Sequence, residues 1–207
     1  MKICVLMWYD DGIADYADIN SSINKEYCLE HNVALVCSSR RACPDRHPAW
    51  ERLPLILSAL PSYDWVVWID ADAHFYRGAP SVRTLIEENR DMEFIFSGDK
   101  PPRENINTGV FAVKNSGFSK AFIERWLNDE DAYRSNRFPG WWEQGVLIDM
   151  WEKNTLGIRE RSRVLDYGVL QHFYPTDCEG SSPLVLHMAE QPHGNRVAHS
   201  KQYLGEN

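Results

Sequence analysis

Two carboxylates separated by one residue follow an apolar stretch of the chain. Asp70 and Asp72 come directly after Trp65–Ile69, whose continuous apolar character predicts a strand that is buried on both faces. Ligands of open α/β sheets bind beyond the carboxyl ends of the strands, so both acids are expected to lie in a crevice. Carboxylates that are close together repel each other unless a cation lies beside them, and Mg²⁺ or Mn²⁺ prefers such oxygen ligands. We interpret the pair as a cation site rather than as two acids in a surface turn.

Two further clusters have side chains that suit a sugar. Asn107, Thr108 and Gly109 open another apolar run, where Asn and Thr could bond hydroxyl groups and glycine would let a ligand approach the backbone. An Asx turn before a strand has the same composition. The segment Trp141–Gln144 places two aromatic rings beside an acid and an amide, a combination that can hold a sugar ring. A helix start with a favourable charge and a buried Trp pair is the alternative.

A histidine is the candidate for a third metal ligand. His187 lies in the apolar run Pro183–Met188, where a lone histidine is often a core residue. Because the acidic pair already requires a cation, a neutral imidazole at another strand end is a reasonable ligand for Mn²⁺. His193 and Lys201 follow in a polar tail. They would reach a diphosphate if the tail folds over the site, although such residues are usually solvated.

Apolar runs alternate with helical patterns and predict an α/β fold with a mostly parallel central sheet flanked by helices. The chain opens as a β-α-β unit with strand Lys2–Trp8, helix Ile19–His31 entered through Asp18, and a second buried strand Val33–Cys37. The later predicted elements are a helix ending at Leu60, strand Trp65–Ile69, helix Ser81–Asn89, strands Glu93–Ser97 and Gly109–Val113, helices Ser116–Leu127 and Trp141–Trp151, strands Val164–Phe173 and Leu184–Met188, and a polar tail from Gln191. No linker divides the 207 residues.

Charge and cysteine usage exclude some partners. The chain has 22 Lys and Arg against 30 Asp and Glu, a formal net charge of -8, which argues against nucleic acid and against an anionic membrane surface. Aromatic residues make up 12% of the chain, which suits stacking on bases or sugar rings as well as core packing. The five cysteines are odd in number and form no CxxC pair, which favours reduced thiols. With no run long enough for a signal peptide or a membrane anchor, we expect a cytoplasmic protein.

Five motifs in order resemble the fungal and plant galactosyl-, mannosyl- and xylosyltransferases of the retaining GT-A type. They are His47–Pro54, Trp65–Phe75, Asn107–Phe111, Trp142–Gly145 and Leu186–His187. The chain is also similar to the amino-terminal glycosyltransferase domain of chlorovirus proteins thought to decorate the major capsid protein, which would place it in the host cytoplasm. The resemblance implies one GT-A domain over residues 1–207, with a nucleotide-binding half (about 1–100) and a donor-sugar and acceptor half (about 101–207). The chain would then be one domain of a larger polypeptide.

The resemblance also implies the ligands and the roles of single residues. The donor would be a nucleotide sugar, UDP-linked most often, the metal Mn²⁺ or Mg²⁺, and the acceptor a glycan or glycoprotein. Asp70, Asp72 and His187 would bind the metal, and Asp70 would alternatively bond the donor ribose. With the tail, the candidate donor-binding residues are Met7, Trp8, Tyr9, Asp10, Arg52, Asp70, Asn107, His193 and Lys201.

The candidate catalytic residues are Gln144, Glu143 and Asp72. If the reaction retains the anomeric configuration, Gln144 or Glu143 would stabilise the sugar face opposite the leaving group. If it inverts, Glu143 is the candidate general base. Two other classes are alternatives: a haloacid-dehalogenase-type phosphotransferase, which normally carries its DxD on the first strand, and a cation-dependent carbohydrate-binding module.

Overall fold

The computed structural model describes residues 1–103, 105–130, 133, 140–175 and 182–205. Within these ranges the strands are β1 (Ile3–Trp8), β2 (Ala34–Ser38), β3 (Trp65–Ile69), β4 (Ala73–Phe75), β5 (Phe94–Gly98), β6 (Ile106–Lys114), β7 (Ser162–Leu165), β8 (Gln171–Phe173) and β9 (Val185–His187). The α helices are α1 (Ala14–Glu30), α2 (Arg52–Ala59), α3 (Val82–Glu88), α4 (Gly117–Asn128), α5 (Trp142–Glu152) and α6 (His193–Leu204).

A six-stranded sheet forms the centre of the structure. Its strand order is β2-β1-β3-β6-β5-β7. β1 pairs in parallel with β2 and β3, and β5 with β7, whereas β6 is antiparallel to both of its neighbours. The predicted α/β class with a mostly parallel sheet is therefore confirmed, and β6 is the exception to the parallel pattern.

A smaller sheet lies beside the carboxyl end of β3 and was not predicted. Its strand order is β4-β9-β8, and its register places Ala73 of β4 opposite His187 of β9. Since Asp72 immediately precedes Ala73, this register brings the acidic pair and the histidine to one place. β4 has only three residues, all buried, and one of them is polar, so periodicity alone does not reveal it.

Apolar side chains cover both faces of the central sheet, which is why its strands read as continuous apolar runs. Along β1 the side chains alternate between two cores. Cys4, Leu6 and Trp8 pack on the face covered by α2 and α4, and Ile3, Val5 and Met7 pack on the opposite face against α1 and α3. β2, predicted to be buried, is instead a partly exposed edge strand.

Two more predicted elements differ from the structure. α1 begins at Ala14, after a 3-10 turn that the Asp10 carboxylate caps by accepting a hydrogen bond from the Gly12 amide at 3.1 Å, so Asp18 lies inside the helix rather than at its start. The strand predicted over Val164–Phe173 is two strands, β7 and β8, which belong to different sheets. Gly168, with φ of 88°, lies in the turn between them.

The polar tail folds as helix α6 and packs on α1. A fully buried polar contact with α1 is the hydrogen bond from the Ser200 hydroxyl to Asn20 Oδ1 at 2.9 Å. A helix whose buried contacts are polar shows no apolar stripe, so its sequence resembles a solvated segment. No helix among the described residues is both long enough and apolar enough to span a lipid bilayer.

Candidate functional site

A cavity of about 630 Å³ opens at the carboxyl ends of β1 and β3. Nine of the residues predicted as site residues line it: Trp8, Asp10, Arg52, Asp70, Asp72, Asn107, Glu143, Gln144 and His187. They come from both halves of the sequence. That residues 1–100 bind the nucleotide and residues 101–207 bind the donor sugar and the acceptor stays a prediction.

The acidic pair and the histidine converge in this cavity. His187 Nε2 lies 3.2 Å from Asp72 Oδ1 and 3.8 Å from Asp70 Oδ2. One ligand atom from each of the three side chains lies within 4.8 Å of the others. Two carboxylate oxygens and one imidazole nitrogen form a donor set that suits Mn²⁺, and Mg²⁺ where substrate oxygens complete the shell. The residues present therefore fit a divalent cation.

The two carboxylates have different electrostatic environments. Burial raises the pKa of Asp70, although Arg52 and His187 oppose the shift. Burial alone would also raise the pKa of Asp72, but His187 and Arg196 outweigh it and hold this pKa at about 2. The cationic neighbours thus keep Asp72 ionised, as a metal ligand must be.

Gly109 makes room for the histidine. A Cβ atom at this position would lie 2.1 Å from His187 Cε1 and 2.7 Å from His187 Nδ1. Such contacts are far shorter than the 3.5 to 4.0 Å at which carbon atoms pack. The sequence indicated a glycine that lets a ligand approach the backbone, and in the structure the group that approaches is the His187 ring.

A buried arginine connects two of the acids. Arg52 Nη2 lies 2.9 Å from Asp70 Oδ1, and its Nη1 lies 3.0 Å from Glu143 Oε1 and 2.8 Å from the Thr108 hydroxyl. The Trp68 indole N–H also donates to Asp70 Oδ1, at 2.7 Å. These contacts fix the Asp70 carboxylate at the end of β3.

Glu143 is buried beside this arginine. Its side chain is 2% exposed. Burial raises its pKa to about 7, and the nearby Asp70 charge adds to the shift while Arg52 opposes it. Its Oε2 atom has no hydrogen-bond partner within the described part of the chain. Glu143 thus contacts Arg52 and Thr108, and its exposure to the cavity is slight.

Gln144 is held by the backbone at the start of α5. Its Oε1 accepts the Thr108 amide hydrogen at 2.9 Å and lies 3.1 Å from the Thr108 hydroxyl. Since the amide oxygen is engaged, the –NH₂ group is the part of the side chain that is left for a ligand.

Four predicted donor-binding residues lie outside the cavity. Met7 is fully buried on the opposite face of β1 from Trp8, where the Asn24 amide contacts its sulfur at 3.3 Å. Tyr9 does not line the cavity, Lys201 is exposed on α6, and His193 pairs with Asp15 at 2.7 Å. These four side chains lie away from the cavity because strand alternation and helix geometry decide which side chains face a site, and their role in donor binding stays a prediction.

Sequence reasoning missed Arg196 and Gln171, and it named Thr108 without its partners. Arg196 of α6 reaches Asp72, with Nη2 2.9 Å from Oδ2, from a tail where His193 and Lys201 were expected to act. Thr108 was noted only as part of the Asn107 cluster. Gln171 lies inside a predicted strand, where its buried amide contacts His187. Only the tertiary structure identifies these partners.

Comparisons of sequence place the chain among known transferases. The model of the nucleotide-diphospho-sugar transferase family matches residues 50–196. Galactomannan galactosyltransferase 1 of Cyamopsis tetragonoloba is 26% identical over 125 residues, which cover 56% of this chain and 28% of that protein. A probable xyloglucan 6-xylosyltransferase 3 of Arabidopsis thaliana is 25% identical over 127 residues, covering 56% and 27%. The chain thus matches about a quarter of the length of these relatives.

Comparisons of structure agree with the topology. A glycosyltransferase involved in the glycosylation of the major capsid of PBCV-1 superposes with a TM-score of 0.79 at 20% identity, covering 98% of this chain and 100% of that one. The galactosyltransferase LgtC, solved with donor and acceptor sugar analogs, gives a TM-score of 0.64 at 12% identity, covering 98% and 95%. These likenesses establish the GT-A fold. Together with the family match over residues 50–196, they show that the chain belongs to the nucleotide-diphospho-sugar transferase family.

Proposed function

We propose that this protein is a metal-dependent glycosyltransferase that takes a sugar from a UDP-sugar donor. The observation that carries the proposal is the convergence of Asp70, Asp72 and His187 within 4.8 Å in the main cavity of a nucleotide-diphospho-sugar transferase. These three side chains would hold Mn²⁺ or Mg²⁺. The ion would neutralise the negative charge that develops on the diphosphate when the sugar leaves.

The cavity has groups for each part of such a donor. Trp8 and Asp10 at the end of β1 line the side where a base and ribose would bind. Arg196 supplies a cation next to the metal ligands, at 2.9 Å from Asp72, and suits a diphosphate oxygen. The galactosyl- and xylosyltransferase relatives support a hexose or pentose as the sugar.

The position of Glu143 supports retention of the anomeric configuration. An inverting enzyme needs a general base that reaches the acceptor hydroxyl. Glu143 is almost fully buried, and its Oε1 contacts Arg52 and Thr108. Glu143 is therefore better placed to hold Arg52 than to abstract a proton from the acceptor. The Gln144 –NH₂ group lines the cavity and can donate to the sugar or its ring substituents.

Aromatic side chains at the cavity support a carbohydrate acceptor. Trp142 is 41% exposed and stacks on His47 with ring centroids 3.6 Å apart and an angle of 5° between the planes. Exposed rings of this kind pack against the apolar faces of sugars. We therefore propose that a glycan or glycoprotein acceptor enters along the side of the cavity that Trp142 and His47 line.

Family membership decides between the alternatives. A haloacid-dehalogenase-type phosphotransferase or a carbohydrate-binding module would not match a nucleotide-diphospho-sugar transferase over residues 50–196. The acidic pair also follows the third strand, not the first. A cytoplasmic location stays a proposal, supported by four described cysteines that are all free thiols. Cys178 lies outside the described residues.

Calorimetric titration with UDP, with and without Mn²⁺, tests the proposed function. We expect UDP to bind in the presence of Mn²⁺ and to bind at least about tenfold more weakly in its absence, the order of loss that follows damage to a metal site. GDP and ADP serve as comparison ligands. Asp72→Ala should abolish the Mn²⁺ effect, whereas Asp15→Ala, at an exposed acid outside the cavity, should preserve it. Equal affinity of the wild type for UDP with and without Mn²⁺ would contradict the proposed metal dependence.

The stereochemical outcome is tested on the product. Proton NMR of the freshly formed glycoside reports the coupling of its anomeric hydrogen. We expect the same anomeric configuration in product and donor, because the Glu143 carboxylate, the candidate inverting base, is only 2% exposed. An inverted product would assign Glu143 the role of base despite its burial.

A further inference from the structure

A chain of hydrogen bonds runs from the backbone to the metal-facing histidine. The Gly109 amide donates to Asn107 Oδ1 at 2.8 Å, and Gln171 Nε2 donates to the same oxygen at 2.8 Å. At the other end of the Gln171 amide, Oε1 lies 2.8 Å from His187 Nδ1. Gln171 is fully buried, and Asn107 and His187 are 8% and 4% exposed. Of these three contacts, the one between Gln171 and His187 involves a candidate metal ligand.

Each orientation in this chain follows from the one before. A backbone N–H can only donate, so the Asn107 oxygen, and not its nitrogen, must face Gly109. The Asn107 side chain also hydrogen-bonds with the side chain of Asp99, whose pKa burial raises. The group of Gln171 that meets the Asn107 oxygen must then be its –NH₂. The Gln171 oxygen is left to face His187.

The orientation of Gln171 determines which ring nitrogen of His187 carries a hydrogen. An amide oxygen can only accept, so His187 Nδ1 must carry a hydrogen. The other ring nitrogen, Nε2, points at Asp72 Oδ1 and Asp70 Oδ2, at 3.2 and 3.8 Å. A divalent cation that binds here would take the place of any hydrogen on Nε2 and use the lone pair of that atom.

We propose that Gln171 is a positioning residue that keeps the hydrogen of His187 on Nδ1 and so directs the Nε2 lone pair into the metal site. This inference rests on the proposed metal dependence. Gln171 does not line the cavity, so it acts through His187 and not on the donor. Asn107, predicted to bind the sugar, is engaged through both ends of its amide and holds Gln171.

Two substitutions separate positioning from mere packing. Gln171→Leu replaces the amide with an apolar side chain of similar size, which offers His187 no acceptor. Gln171→Glu keeps an acceptor for Nδ1–H but has, when ionised, no hydrogen for Asn107 Oδ1. Both variants should therefore be less stable than the wild type in urea unfolding. Only the leucine variant should lose the orientation of His187. Ser119→Ala, which removes a buried hydroxyl at the start of α4, is the control for lost stability.

The readouts are Mn²⁺ affinity and spectra of the histidine. By calorimetry with Mn²⁺ alone, we expect Gln171→Leu to bind 10- to 100-fold more weakly than the wild type, the range found for such supporting residues. Gln171→Glu should retain more affinity than the leucine variant. Pulsed EPR of bound Mn²⁺ should show nitrogen coupling from His187 in the wild type and in the glutamate variant, and weaker coupling in the leucine variant.

A measurement without metal separates this inference from the proposed function. Nitrogen-15-resolved NMR of the metal-free protein should show a protected His187 Nδ1–H in the wild type and none in Gln171→Leu. If the wild type binds no Mn²⁺, the proposed metal dependence fails. The proposal that Gln171 directs the Nε2 lone pair of His187 to a metal then fails too, even if the NMR signal of Nδ1–H is present. If the wild type binds Mn²⁺ and Gln171→Leu binds it equally well, or keeps the protected Nδ1–H, the role of Gln171 is refuted while the metal proposal stands.

Discussion

Gly109 matters to the candidate site through the side chain that it lacks. The His187 ring occupies the space where any other residue would place a Cβ atom. The sequence predicted a functional glycine here, but its partner is 78 positions away along the chain. The amino-acid sequence can indicate that a glycine is needed at position 109. The register of β4 with β9 is needed to identify His187 as the side chain that packs against it.

We predict that Gly109→Ala weakens Mn²⁺ binding by about tenfold or more, because the new methyl group must displace the His187 ring. It should also lower the free energy of unfolding by about 1 to 3 kcal/mol, the usual cost of overpacking. Calorimetry and urea unfolding measure the two effects. Gly117→Ala is the matched control, since a Cβ there meets no atom within 4 Å. Wild-type Mn²⁺ affinity in Gly109→Ala would contradict the assignment of His187.

At the scale of elements, α6 and the small sheet complete the site. Helix α6 brings Arg196 to Asp72, and strand β9 brings His187. Between these two elements lie two imidazoles, His74 of β4 and His199 of α6, with ring centroids 5.8 Å apart. The Nε2 atom of each is buried without a hydrogen-bond partner among the described residues. Protonation of either ring would place a positive charge in this buried contact.

We predict that acid weakens the packing of α6 through His74. Burial lowers the pKa of His74 from 6.5 to about 4, and His199 and Arg77 add to the shift. Between these two values the unfolded chain binds more protons than the folded one, so stability falls as the pH decreases. From pH 6.5 to pH 5 the loss attributable to His74 is roughly 2 kcal/mol.

Urea unfolding at pH 7 and pH 5 measures this effect. His74→Asn keeps a donor near the position of Nδ1 but does not titrate, so it should lose less stability than the wild type between the two pH values. His193→Asn removes a half-exposed histidine from α6, the helix that packs against His74, and serves as the control. An equal loss in the wild type and in His74→Asn would show that His74 is not the acid-sensitive group.

At the scale of the whole molecule, the sequence indicated the central sheet better than the elements at its margin. Trp65–Ile69 was predicted with its observed bounds because a strand buried on both faces is a continuous apolar run. The acidic pair was predicted as a site because it comes directly after this strand, and His187 because it lies at the end of another predicted strand. The small sheet and α6 were missed because β4 is short and α6 contacts α1 through Ser200 and Asn20. Their positions depend on contacts between residues far apart in the chain.

The missed helix also changes how the cavity should be regarded. Asp72 already has a cationic partner within the fold, because Arg196 lies 2.9 Å from it. Under the proposed function, a divalent cation and a diphosphate would enter together, and Arg196 would leave Asp72 for the new anion. At Asp72, ligand binding would then be an exchange of one counter-ion for another.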